Sequence, residues 1–176
     1  MGIEVSDKTT ELITNGTFDT DSDWTKQYFG WTISGGKARH AGVYGTMLQY
    51  LQADETHFNL LRIDVDSFDD LALNIGFAGV AQLSIIAAGS YAKVILPVAD
   101  MGTPWISLEK LRGDCVIDNV SMIDIADYIL ANYSFLADEN IMYEIWPLDN
   151  DEIMIRYASF NPSTTLYFII NINDII

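Results

Sequence analysis

Two histidines, His40 and His57, are the only side chains in this 176-residue chain that titrate near neutral pH without help. Acid–base chemistry would have to be built on one of them. His57 opens a predicted strand after an acidic turn and is expected to be exposed. Serine nucleophile elbows, Cys–His arrangements and phosphate-binding glycine loops are all absent from the sequence. The acids at 19, 21, 23, 64, 66, 69 and 70 could include a glycosidase pair. With 25 acidic against 9 basic side chains, however, such clusters arise by chance. The sequence therefore indicates no enzyme. The single cysteine, Cys115, excludes an intrachain disulfide; beside a predicted strand it reads as a packing residue, and a fold held by its core suits a reducing cytoplasm.

Recognition chemistry is better supplied. A pyranose offers an apolar face that stacks on an aromatic ring, and hydroxyls that need polar groups nearby. Trp24, Trp31, Tyr44, Trp105 and Trp146 are the available rings. Tyr44 and Trp105 lie near predicted loops and are the carbohydrate-binding candidates, whereas Trp24 is expected to cover one end of the domain. The net charge of −16 repels phosphate, so nucleic acid is not an expected partner. No apolar stretch approaches the ~20 residues that span a bilayer, so membrane insertion is not expected either. Residues 1–4 lack the basic start and apolar run of a signal peptide. The sequons at Asn15 and Asn132 accordingly carry little weight.

A binding face of this kind must be carried by strands. Hydrophobic residues make up 49% of the chain, enough for a core in one domain with a small appendage. Between 45 and 125 the sequence breaks into short segments rich in Ile, Val, Leu, Tyr and Phe, separated by Gly or Asp. Strands are predicted at 46–51, 57–66, 70–76, 80–87, 91–98, 104–110 and 114–124, with a turn at Ala88-Gly89-Ser90. Leu61, Ile63 and Val65 alternate with Arg62 and Asp64, the pattern of a strand with one wet face. Val116, Asp118, Val120 and Met122 alternate with Ile117, Asn119, Ser121 and Ile123. Leu12 to Thr14 reads as a short strand before the Asn15-Gly16 turn. That many strands predict an all-β, two-sheet antiparallel sandwich.

Beyond residue 125 the composition changes. Ile129, Leu130, Tyr133 and Leu136 have helical spacing, which predicts a short helix over 126–137. Strands are expected at 140–146, 152–159 and 165–172, joined by Pro147–Asp151 and Asn161-Pro162-Ser163 turns. In the last strand Tyr167 and Ile169 add apolar surface to the face opposite Leu166, Phe168 and Ile170. A strand apolar on both faces needs cover on both. The 126–176 meander therefore reads as a docking or oligomerisation element, the alternative being that it packs on its own sandwich.

The ordered set Asn15-Gly16-x-Phe18-Asp19, Gly30-Trp31-Thr32, Gly35-Gly36-Lys37-Ala38 with His40, the Gln49-bearing strand, and Asp118-Asn119-Val120-Ser121 resembles a carbohydrate-binding-module-like (galactose-binding-like) jelly roll. The version it most resembles is common in bacteriophage virion proteins. The resemblance covers roughly residues 10–125, leaving residues 1–9 as an N-terminal arm and 126–176 as the appendage. It implies a jelly-roll sandwich whose first and last strands lie side by side, with Trp31 in the core and His40 in a structural or surface role. It also implies a structural calcium ion with Asp19 and Asp118 as side-chain ligands. As a function it implies a non-enzymatic virion protein, such as a capsid decoration, head fibre or tail component, assembled in the bacterial host cytoplasm. Its partners would be other virion proteins, copies of itself, or a host-surface glycan. The alternative is a free bacterial carbohydrate-binding module or lectin-like protein.

Overall fold

The computed structural model describes residues 11–52, 59–95, 103–125, 141–147, 152–160 and 163–171. Within them the chain forms an all-β, two-sheet antiparallel sandwich. One sheet holds β2 (Trp31–Ile33), β3 (Ala38–His40), β10 (Cys115–Asp124), β5 (Asn59–Phe68) and β8 (Gly89–Ile95), in that order. The other holds β1 (Thr25–Tyr28), β4 (Val43–Tyr50), β9 (Trp105–Arg112), β6 (Leu73–Phe77) and β7 (Val80–Ile85). From β3 to β10 the chain crosses repeatedly between the two sheets, and in that stretch only β6 and β7 follow one another within a sheet, as a hairpin. That alternation gives the jelly-roll path.

The core lies between the sheets and follows from the period-two pattern of its strands. β9 turns Ile106 and Leu108 inward, and β6 turns Leu73, Ile75 and Phe77 inward. Opposite them, Leu61, Ile63 and Val65 of β5 are buried as the sequence predicts, while Arg62 and Asp64 are not. Phe18, Trp24 and Trp31 fill the end nearest the N-terminal segment.

The motif at Asn15 and the one at Asp118 meet. The Val120 amide donates to the Gly16 carbonyl at 3.0 Å, and the Leu12 amide to the Met122 carbonyl at 2.8 Å. Leu12 to Thr14 nevertheless does not form the strand expected of it. Its ladder to β10 amounts to one isolated bridge, Glu11 to Ile123, beside the Leu12 hydrogen bond. The reason is Gln49, whose buried amide takes both backbone groups of Thr14. Its Oε1 accepts from the Thr14 amide at 2.8 Å, and its Nε2 donates to the Thr14 carbonyl at 2.7 Å. A side chain thus satisfies the backbone in place of a neighbouring strand.

The two-faced reading of 116–123 also needs correction. Ile117 and Val120 are both buried and Val116 is not, because the register between β10 and β5 shifts around Asp118. An extra residue at such a bulge resets the alternation and leaves Asp118 exposed. Three short strands, β1 to β3, stand where only turns and motifs were recognised. β8 begins at Gly89 inside the predicted turn. Strands β11 (Ile141–Pro147), β12 (Glu152–Phe160) and β13 (Ser163–Asn171) form the expected antiparallel meander as a separate sheet, with Ile169 exposed. The predicted helix over 126–137 lies outside the described residues, as do His57 and the arm at 1–9.

Candidate functional site

The outward face of the sheet containing β4 and β9 carries a cleft of about 310 Å³. Register assigns its floor. Gln27, Thr46, Glu109 and Asn74 stand abreast on β1, β4, β9 and β6. One step along, Leu48, Ser107, Gly76 and Ala81 form the next row. On β9 these positions alternate with core residues, so WISLEKLR sends Trp105, Ser107 and Glu109 outward while Ile106, Leu108 and Lys110 turn in. Gly76 keeps the floor low, since a Cβ there would come within 2.6 Å of the Ser107 Oγ.

Aromatic rings stand at both ends. At one, Tyr28 and Tyr44 lie with ring centroids 5.0 Å apart; at the other, Trp105 lines the cleft and Tyr50, just outside the lining, stands 6.3 Å from it. Tyr44 and Tyr50 share a face of β4 six residues apart, which at ~3.4 Å per residue separates the two ends by about 20 Å. Tyr28 holds a φ of 67°, a conformation unfavourable for an aromatic residue. That strain turns the end of β1 so that Tyr28 joins Tyr44. Polar groups in the floor are partly committed: the Ser84 hydroxyl and Asn74 Oδ1 share a hydrogen bond at 2.9 Å, which leaves the Asn74 amide nitrogen as a donor. Thr46 Oγ1 lies 3.2 Å from the Tyr44 hydroxyl.

Both sequence-predicted carbohydrate residues, Tyr44 and Trp105, line this one cleft. Tyr28, Asn74 and Glu109, which also line it, were not named as candidates. In WISLEKLR the alternation held the signal for Glu109, which sits between the inward-facing Leu108 and Lys110.

The calcium candidates are differently placed. Asp19 accepts a hydrogen bond from the Thr17 hydroxyl at 2.8 Å. Asp118 is paired with the Lys37 ammonium at 2.9 Å, and Lys37 also pairs with Asp66. These two carboxylates push the Lys37 pKa upward, chiefly through their hydrogen bonds. Among the described residues no three His, Cys, Asp or Glu side chains gather in a metal-binding group. The ammonium of Lys37 thus balances the charge of Asp118 in this structure, and calcium at Asp118 would compete with it. The expected result is a melting temperature nearly indifferent to calcium or chelator in the native chain. Lys37→Met, which frees both carboxylates, should introduce a calcium-dependent rise. A large calcium response in the native chain would show that the ion displaces Lys37 unaided.

The remaining candidates are structural. His40 is buried, edge-on to Trp31, with Nδ1 2.9 Å from the Gly113 carbonyl. Since a carbonyl only accepts, Nδ1 carries the proton there. Trp24 is buried against Phe18, and its indole N–H donates to the Asn15 carbonyl at 3.1 Å. Burial pushes the Cys115 thiol up to about 11, so it remains protonated at neutral pH and is a poor nucleophile. No protein-family model and no curated protein matches this chain. No helix among the described residues is long and apolar enough to cross a membrane.

Proposed function

We propose that this chain is a non-enzymatic recognition component of a bacteriophage particle, and that the cleft between the Tyr28–Tyr44 and Tyr50–Trp105 pairs holds a host-surface glycan. The observation that carries the glycan reading is the arrangement of the cleft: aromatic platforms at both ends of a polar floor. Stacked rings favour the apolar faces of sugars, and Asn74, Thr46, Ser107 and Gln27 offer donors and acceptors for hydroxyls. A span of about 20 Å suits a chain of several sugars rather than one. The virion assignment is supported by the resemblance of the Asn15-Gly16 and Asp118–Ser121 motifs, now seen in contact, and by the apolar third sheet as a means of attachment. The same cleft equally favours a free bacterial carbohydrate-binding module. Immunogold electron microscopy of phage particles separates the two readings, since only a virion component would be labelled in place.

The cleft makes its own prediction. Trp105→Ala and Tyr44→Ala should each weaken binding of a glycan selected from an array by about 10- to 100-fold, as expected for truncating a central aromatic anchor. Both side chains are at least partly exposed, so melting temperature should barely change. Glycan affinity unchanged in both variants would remove the cleft as the binding site.

A further inference from the structure

The charge of the cleft restricts its ligand further. Glu109 is the only ionisable carboxylate or cation among the lining residues, between Thr46 and Asn74 in the row nearer the Tyr28–Tyr44 pair. It is half-buried and, among the described residues, its carboxylate has no hydrogen-bond or ion-pair partner. Its neighbour in sequence, Lys110, points to the other side of the sheet and is bound there to backbone carbonyls. No cation therefore balances Glu109 from within the cleft. We propose that the ligand is a saccharide carrying a protonated amine, with Glu109 as its counter-ion, an inference that rests on reading the cleft as a glycan site.

Three features converge on this ligand class. A partly desolvated carboxylate attracts an ammonium more strongly than a fully hydrated one would, and strongly disfavours a second anion. The Tyr28–Tyr44 pair stands near the Glu109 end of the floor, and the electron-rich faces of such rings attract cations as well as sugar C–H groups. The chain's net charge of −16 adds a long-range field that concentrates cationic ligands and repels acidic ones. Uronic acids, sialic acids and phosphate-bearing glycans are thereby selected against, while free hexosamines are favoured over their N-acetylated forms.

The test is a glycan array of neutral, free-amine and acidic saccharides, followed by calorimetric titration of a glucosamine oligomer and its N-acetylated counterpart at about pH 6 and low salt. The free-amine oligomer is expected to bind the full-length chain at least about tenfold more tightly. Glu109→Gln should reduce that ratio to near unity, with an unchanged melting temperature showing that the fold is intact. Equal binding of the two oligomers, or a preference that survives Glu109→Gln, would overturn the amine assignment while leaving the glycan reading intact. An oligolysine peptide binding as tightly as the amino sugar would overturn the saccharide assignment by showing that charge alone is read. Failure of every saccharide class to bind would sink both the inference and the reading beneath it.

Discussion

Gly16→Ala is expected to lower the melting temperature by roughly 10 °C or more, corresponding to about 3 kcal/mol or more in a chain of this size. A Cβ built on Gly16 would lie 1.9 Å from the Val120 carbonyl oxygen and 3.2 Å from the Ile13 side chain. Backbone cannot yield as a flexible side chain would. The displacement would also break the hydrogen bond from the Val120 amide to the Gly16 carbonyl, where the first segment is fastened to β10. Gly42→Ala is the control. Gly42 has a φ of +88° but nothing within 4 Å of its missing Cβ, so its substitution should cost only backbone strain, about 1–2 kcal/mol. Calorimetric melting of both variants distinguishes close approach from conformational preference. If the two lost equal stability, the contact with Val120 would not be what requires glycine at position 16.

The contrast explains why some of this fold was legible in the sequence. Short segments rich in Ile, Val, Leu, Tyr and Phe between Gly and Asp identified β4 to β10. In β5 the alternation of Leu61, Ile63 and Val65 shows the one face a sandwich strand turns to the core. The pairing of Asn15-Gly16 with Asp118–Ser121 came from resemblance, and its physical basis is the close approach of two backbones. β1, β2 and β3 are only three or four residues long, too short for alternation to stand out from the turns around them. The bulge at Asp118 was invisible because one inserted residue changes the phase without changing composition. Gln49 likewise replaces a strand's hydrogen bonds from a distance of 35 residues, which no local pattern reveals.

The site was half legible for a related reason. Tyr44 and Trp105 stood out as rings near loops, and sheet register then placed them on one face. Register also brings in Asn74 and Glu109, whose residue types are ordinary on any acidic surface. Asp19 and Asp118 were chosen by motif, and the motif does not show that Lys37 reaches across from the loop before β3 to pair with Asp118. Ion pairs formed between distant segments depend on the finished fold.

Lys110→Met is the second substitution expected to have a large effect, about 3 kcal/mol or more of lost stability. Lys110 lies inside the sandwich with no exposed surface, in a strand position that alternation assigns to the core. Its ammonium donates to the Asp69 carbonyl at 2.9 Å and to the Leu71 carbonyl, and sits 4.1 Å from the centre of the Phe68 ring. These acceptors belong to the connection between β5 and β6, which Arg112 also grips through Asp70 at 2.7 Å. Methionine matches the length and apolar stem but cannot donate, so two carbonyls would be left without Lys110 as a donor. The loss is that of two hydrogen bonds from a charged donor, which are worth about 1.5–3 kcal/mol each. Arginine should not rescue the loss, because its planar guanidinium cannot take the compact position of an ammonium over Phe68. Hydrogen exchange offers the sharper readout: protection of the Leu73 and Ile75 amides should fall in Lys110→Met by more than that of β5, because the loop that fixes the start of β6 is the part released. Equal loss of protection throughout the sandwich would mean that Lys110 acts as core filling rather than as a clamp on residues 69–71.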